Sequence, residues 1–230
     1  MIRASRSLKA LLIGVVIAGA AVALAPTREV SQVMSSRGST SYVTTPSEAW
    51  VFVSVTDFGW SGSSASNLLI GLGRLAGHWG PTDRDRRDQM TVLFLDQAGL
   101  KQSTVSGSGL FHGVVDGAII VSNTGRLHRA ENGTLVPLTK AEDTSIAPRL
   151  TGRTDDVPRG WTAERLVVTP ARLERALTVG RSTFTLLLDH DGDVERLRVR
   201  DEHGATRAEL TVDRRARSID RASYGRHFGR

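Results

Sequence analysis

The sequence predicts a mainly β protein built from antiparallel meanders, with one short helix and an N-terminal hydrophobic helix. Three observations carry that expectation. Apolar, β-branched runs of strand length recur along the chain, as in Trp50-Val-Phe-Val-Ser-Val55 and Ala118-Ile-Ile-Val121. Asp-Gly and Asn-Gly pairs punctuate such runs at Asp116-Gly117, Asn132-Gly133 and Asp191-Gly192. Those residues tolerate the positive φ of tight hairpin turns. Between positions 184 and 212, finally, apolar residues alternate with charged or hydroxylated ones, the period of a sheet with one wet face.

Composition sets the outer limits. At 230 residues and 40% hydrophobic content, the chain is long enough for one sizeable core or two small ones. Cysteine is absent, which removes disulfides, thiolate nucleophiles and zinc–cysteine sites from consideration. Arg3, Arg6 and Lys9 supply half of the formal +6 charge in a segment without an acid, so the remainder is too balanced to argue for specific nucleic-acid binding.

Residues 1–25 have the layout of a signal peptide or membrane anchor: a basic start, then an uncharged run from Ala10 to Ala25 with small residues at Ala21, Ala23 and Ala25. Pro26 suits cleavage after Ala25 poorly and moves it to Ala20 or Ala23. An uncleaved anchor is the alternative, though the run is short against the about 20 apolar residues of a usual span. Both readings place the body of the protein outside the cytoplasm, with the N-terminal segment as its link to the membrane.

Residues 26–47 are rich in Ser and Thr without apolar periodicity, the composition of a flexible stalk. A β-meander region is expected over 48–138. Its first strand leads into Asp57-Phe-Gly-Trp-Ser-Gly, a Gly/Ser loop whose Phe58 and Trp60 are candidate ligand-binding aromatics or caps on the core. Leu68, Leu69, Leu72 and Leu75 follow helical spacing weakened by glycines, and Gly71-x-Gly73 lacks the third glycine of a dinucleotide fingerprint. Hairpin signals then run from Met90 to Leu138. This stretch is similar to a fragment of a β-sandwich or to one blade of a β-propeller, on hairpin chemistry alone. No repeat at a period of about 40 to 50 residues supports a family assignment.

Residues 139–163 read as a connection. In the next region, 164–213, a helix is expected first: Thr169 as cap, Pro170 in the first turn, Leu173, Ala176 and Leu177 on one face, and Gly180 as terminator. A three-stranded meander follows, and 214–230 forms a basic tail.

Two constellations in the last meander could bind something. Asp189, Asp191, Asp193 and Glu195 place oxygen ligands at alternate positions around a glycine turn, which suits Ca²⁺, although an ordinary hairpin turn uses the same residues. Arg196, Arg198 and Arg200 alternate along one strand and could hold a polyanionic ligand or an envelope protein, set against the plainer reading of a solvated face with Arg–Glu pairs. No Gly-x-Ser-x-Gly elbow and no His pair at i, i+4 is present. His112 and His128 become neighbours only if their strands lie side by side. The sequence therefore favours a non-enzymatic, extracytoplasmic binding module over its alternative, a hydrolase whose catalytic residues are distant in sequence.

Overall fold

In the computed structural model of this chain the described residues are 29–63, 86–166, 172–213, 215 and 217–219. They are mainly β, in antiparallel sheets, with one short helix. The chain divides into two units, one comprising Met34–Phe58 and Arg86–Ala216, the other Met1–Val33, Gly59–Asp85 and Arg217–Arg230.

The first of these is organised on a central sheet. Its strands are β1 (Glu29–Thr44), β2 (Ala49–Ser63), β3 (Arg86–Asp96), β4 (Gly99–Ser106) and β9 (Thr162–Leu166), in the order β9-β1-β2-β3-β4. Ala49–Val53 of β2 and Val92–Leu95 of β3 are apolar without a break because both faces of this sheet are covered. On one face Val51, Val53, Leu93 and Leu95 pack with Leu186, Leu188, Leu197 and Val199. On the other, Trp50, Phe52, Met90 and Phe94 pack with Phe111, Ile119 and Val121. Each such side chain contributes about 1.5–3 kcal/mol by leaving water. Trp50 and Phe94 meet with ring centroids 4.5 Å apart, and the indole N–H of Trp50 donates to Glu48 at 2.9 Å.

The covering layers are two four-stranded meanders. One is β5 (Gly109–Val115), β6 (Ala118–Asn123), β7 (Arg126–Glu131) and β8 (Thr134–Pro137), paired in chain order. The predicted turns Asp116-Gly117 and Asn132-Gly133 close it together with Thr124-Gly125, and all three have positive φ at both positions. The other is β10 (Leu173–Val179), β11 (Ser182–Asp191), β12 (Val194–Arg200) and β13 (Thr206–Asp213). Hairpins 90–105 and 110–138 thus belong to different sheets, where hairpin chemistry alone suggests one blade. The switch occurs at Gly107, at φ 100°, where a Cβ would collide with Thr124 Oγ1 and Asn123 Oδ1.

Several expectations are corrected here. Residues 29–44, within the expected stalk, form a strand whose C-terminal part is interior: Thr40, Ser41, Tyr42 and Val43 are buried. Their hydroxyls are put to use, since Ser41 and Ser54 Oγ accept the Phe111 and Gly109 N–H groups on the open side of β5. An edge strand is thereby satisfied by side chains instead of another strand. The expected helix over 170–179 is strand β10, paired residue for residue with β11 from Leu173 opposite Leu188 to Val179 opposite Ser182. Burial of Leu177 and Val179, two residues apart, supports a period of two. The only α-helix among the described residues, α1 (Lys140–Ile146), lies instead in the expected connection. A reciprocal capping box starts it: Thr139 Oγ1 accepts the Glu142 N–H at 3.3 Å, and Glu142 accepts the Thr139 N–H at 2.8 Å.

In the other unit, β14 (Arg217–Ile219) pairs antiparallel with the start of β1, Ser31 opposite Ile219, so part of the expected tail is strand. The expected N-terminal helix and the helical spacing at 68–79 lie outside the described residues. No helix among the described residues is long and apolar enough to cross a membrane.

Candidate functional site

The face of the β10–β13 sheet turned away from the central sheet carries the best candidate. Alternation puts Glu195, Leu197 and Val199 of β12 toward the core and Arg196, Arg198 and Arg200 on the opposite face. Across this outer face Thr185 stands opposite Arg200, Leu187 opposite Arg198, and Asp189 opposite Arg196. Register on the far side sets Glu209 against Arg198 and Thr211 against Arg196.

The three arginines are not equivalent. The Arg198 guanidinium donates through Nη2 to Asp189 Oδ2. Arg196 Nη1 lies 4.0 Å from Asp191 Oδ2. Arg200 makes no hydrogen bond or ion pair with any described residue, and its Nε, like that of Arg198, is buried without a partner. It lines an open depression of about 420 Å³ together with Arg172, Glu174, Thr185, Leu187 and Glu202. Leu187, although on the outer face, is 1% exposed and lies beneath that lining.

Neighbouring Asp201 is already committed. Its carboxylate accepts the His203 and Ala205 N–H groups at 3.0 and 2.9 Å, and Arg207 Nε at 2.7 Å. Burial alone would raise its pKa; the hydrogen bonds from Ala205, Arg207 and His203 outweigh that and hold the carboxyl below its ordinary value. Its role is to shape the β12–β13 turn beside Arg200.

The acids that suggest calcium do not converge. Asp189 and Asp191 face Arg198 and Arg196 on the outer side, whereas Glu195 points inward, 2% exposed and 3.8 Å from His190 Nε2. A Cβ on Gly38 of β1 would stand 3.7 Å from Glu195 Oε2, so this carboxylate is packed against the central sheet. Among the described residues no three His, Asp or Glu side chains are placed to hold a metal ion. The aromatic loop is also not a loop: Phe58 and Trp60 lie on β2, which continues past them, Phe58 opposite Arg86. Just before the Gly/Ser-rich stretch Thr56 is paired in register with Asp88 and donates to its carboxylate at 2.7 Å. The side chains of Phe58 and Trp60 lie outside the described set.

A second cluster joins β1, β9 and β10. Tyr42 Oη donates to Glu164 Oε2 at 2.9 Å, and Arg175 grips the same carboxylate through Nε and Nη2 at 2.7 and 2.8 Å. Burial, then the hydrogen bond to Glu164, push the Tyr42 phenol up to about 12. The Arg175 hydrogen bonds hold Glu164 below its usual range. Such a phenol is a poor base at neutral pH. The cluster is a clamp between the central sheet and the β10–β13 sheet.

His112 sits at the bulge between Phe111 and Gly113, and His128 opposite Val121 on β7, with β6 between their strands. They are not neighbours. His190 and His203 face Glu195 and Glu202, and neither bonds a hydroxyl among the described residues. Sequence reasoning found Arg196, Arg198 and Arg200 but missed Arg172, Glu174 and Leu187. The false helix over 170–179 hid Arg172 and Glu174, since only the strand register brings β10 beside β11; Leu187 sits in the apolar run Leu186-Leu-Leu188. No family model, curated protein or solved structure matches this chain.

Proposed function

We propose that this chain is an exported, non-enzymatic interaction module that holds an anionic group of its partner on the outer face of β10–β13, with Arg200 as the anchor. The observation that supports this reading is the uncommitted Arg200 guanidinium beside arginines that are already paired. A buried donor without a partner costs about 1–3 kcal/mol, which a bound carboxylate, sulfate or phosphate would offset. Arginine presents a planar fork to such groups, and Thr185 adds a hydroxyl in the same depression. Export rests on the basic and apolar pattern of residues 1–25, and membrane attachment on that same segment remaining uncleaved.

Retention of the full-length protein on heparin tests the anion anchor. Arg200→Gln is expected to elute at clearly lower salt than the parent, and Arg198→Gln to shift less because Asp189 already offsets that charge. Equal elution of Arg200→Gln and the parent refutes the reading. Fractionation with N-terminal sequencing tests export: a product starting near Ala21 or Leu24, or intact Met1 in the membrane, supports it. Recovery in the cytoplasm does not.

A further inference from the structure

The depression around Arg200 is not uniformly basic. Glu174 and Glu202 line it along with Arg200 and Arg172, and Asp201 is held at its edge by backbone N–H groups and Arg207. A ligand carrying both signs can set its cation against one of these acids while its anion meets Arg200.

Strand register places the charges at a defined span. Arg200 is opposite Thr185, Thr185 is opposite Ala176, and Glu174 lies two residues along β10 from Ala176. With strands about 4.8 Å apart and a two-residue rise of about 6.8 Å, the Cα atoms of Arg200 and Glu174 are about 12 Å apart. Side chains stand roughly perpendicular to a sheet, so at this spacing the two charged ends are held apart with room for a small molecule between them. In the register Leu187 lies between them, opposite Glu174 on one side and Arg198 on the other. Glu174 is available as well: its pair with Arg172 is 3.6 Å long, with both side chains more than half exposed. Such a pair is weak and readily displaced.

We infer that this depression binds a small amino-acid-like zwitterion, its carboxylate on Arg200 and its ammonium on Glu174. This rests on the reading of Arg200 as an anion anchor and adds the class of ligand. A cavity of about 420 Å³ falls at the small end of ligand pockets, which run from about 300 to 1,000 Å³.

Calorimetric titration of the full-length protein with leucine, N-acetylleucine and leucinamide tests the inference. Leucine carries both charges, and each analogue lacks one. Leucine is expected to bind at least tenfold more tightly than either analogue. Glu174→Gln is expected to erase the preference for leucine over N-acetylleucine, and Arg200→Gln to abolish binding of both. Thermal melting of each variant confirms that it is folded, and both positions are on the outer face, away from the core. N-acetylleucine binding as tightly as leucine, or a leucine affinity unchanged by Glu174→Gln, overturns the zwitterion assignment. If heparin retention still depends on Arg200 while leucine shows no preference, the anion anchor stands and the ligand class falls. If neither probe depends on Arg200, both fall.

Discussion

The two outer meanders are built alike and end differently. Each has four strands paired in chain order, closed by glycine-containing turns, and each packs one face on the central sheet. The β5–β8 sheet has its second face covered too: Val115 and Ile120 form a small cluster with Ile146 of α1, flanked by Leu138 and Leu150. The β10–β13 sheet instead turns Glu174, Thr178, Thr183 and Glu209 outward as exposed residues. This difference is written in the strands. Ala118-Ile-Ile-Val is apolar at every position, while β12 alternates Arg with Leu and Val. The segment after β8 supplies a helix that turns one outer face into core, while the outer face of β10–β13 stays at the surface and carries the candidate site.

Substitutions on the two sheets put that contrast to the test. The largest loss is expected for Phe111→Ala, which empties the layer between β5–β8 and the central sheet and costs about 3–5 kcal/mol. Ile120→Ala, under the helix, should cost about 2–5 kcal/mol by denaturant unfolding. Thr139→Ala, which removes the cap that starts the covering helix, should cost about 0.5–2 kcal/mol. Thr185→Ala, on the outer face of β11, should stay within about 0.5 kcal/mol. Comparable losses at 120 and 185 would mean that both outer faces are core.

The pH-dependent effects are electrostatic and lie at the Tyr42–Glu164–Arg175 clamp. Glu164 has its pKa depressed on folding, so its contribution is present above the unfolded value and fades as pH falls through the folded one. Stability of the parent should decline through the acidic carboxylate range, and Glu164→Gln should flatten that decline. Tyr42 is shifted the other way, from 10.0 to about 12. Its contribution is full below pH 10 and is lost as pH rises from there toward 12. Tyr42→Phe should remove this alkaline loss, and phenolate absorbance of the parent should show a late-titrating tyrosine that is lost in Tyr42→Phe.

Legibility in the sequence followed the range of the signal. Hairpins at Asp116-Gly117, Asn132-Gly133 and Asp191-Gly192 could be read because a tight turn is specified by its own residues. The inward set Leu186, Leu188, Leu197 and Val199 was equally readable from its alternation. The segment from Leu173 to Leu177 was not, because Leu173, Ala176 and Leu177 satisfy a helical period as well as a strand's half-buried pattern. The pairing with β11 decides between them. The Thr139-x-x-Glu142 box was a local signal for the real helix, hidden by polar surroundings. At the candidate site, Arg196, Arg198 and Arg200 shared a face in sequence, but nothing along the chain could say that Asp189 and Asp191 would stand against two of them and leave Arg200 unpaired.

By itself the sequence determined the mainly β class, the tight turns and the inward and outward sides of β11, β12 and β13, since each depends on residues within a few positions of one another. The tertiary structure alone decided which sheet each hairpin joined, that Ser41 and Tyr42 became interior, and which charges met. Those outcomes depend on contacts between strands tens of residues apart. A Ser/Thr-rich segment is hydrophilic only until its hydroxyls find partners, as Ser41 and Ser54 do on the open side of β5.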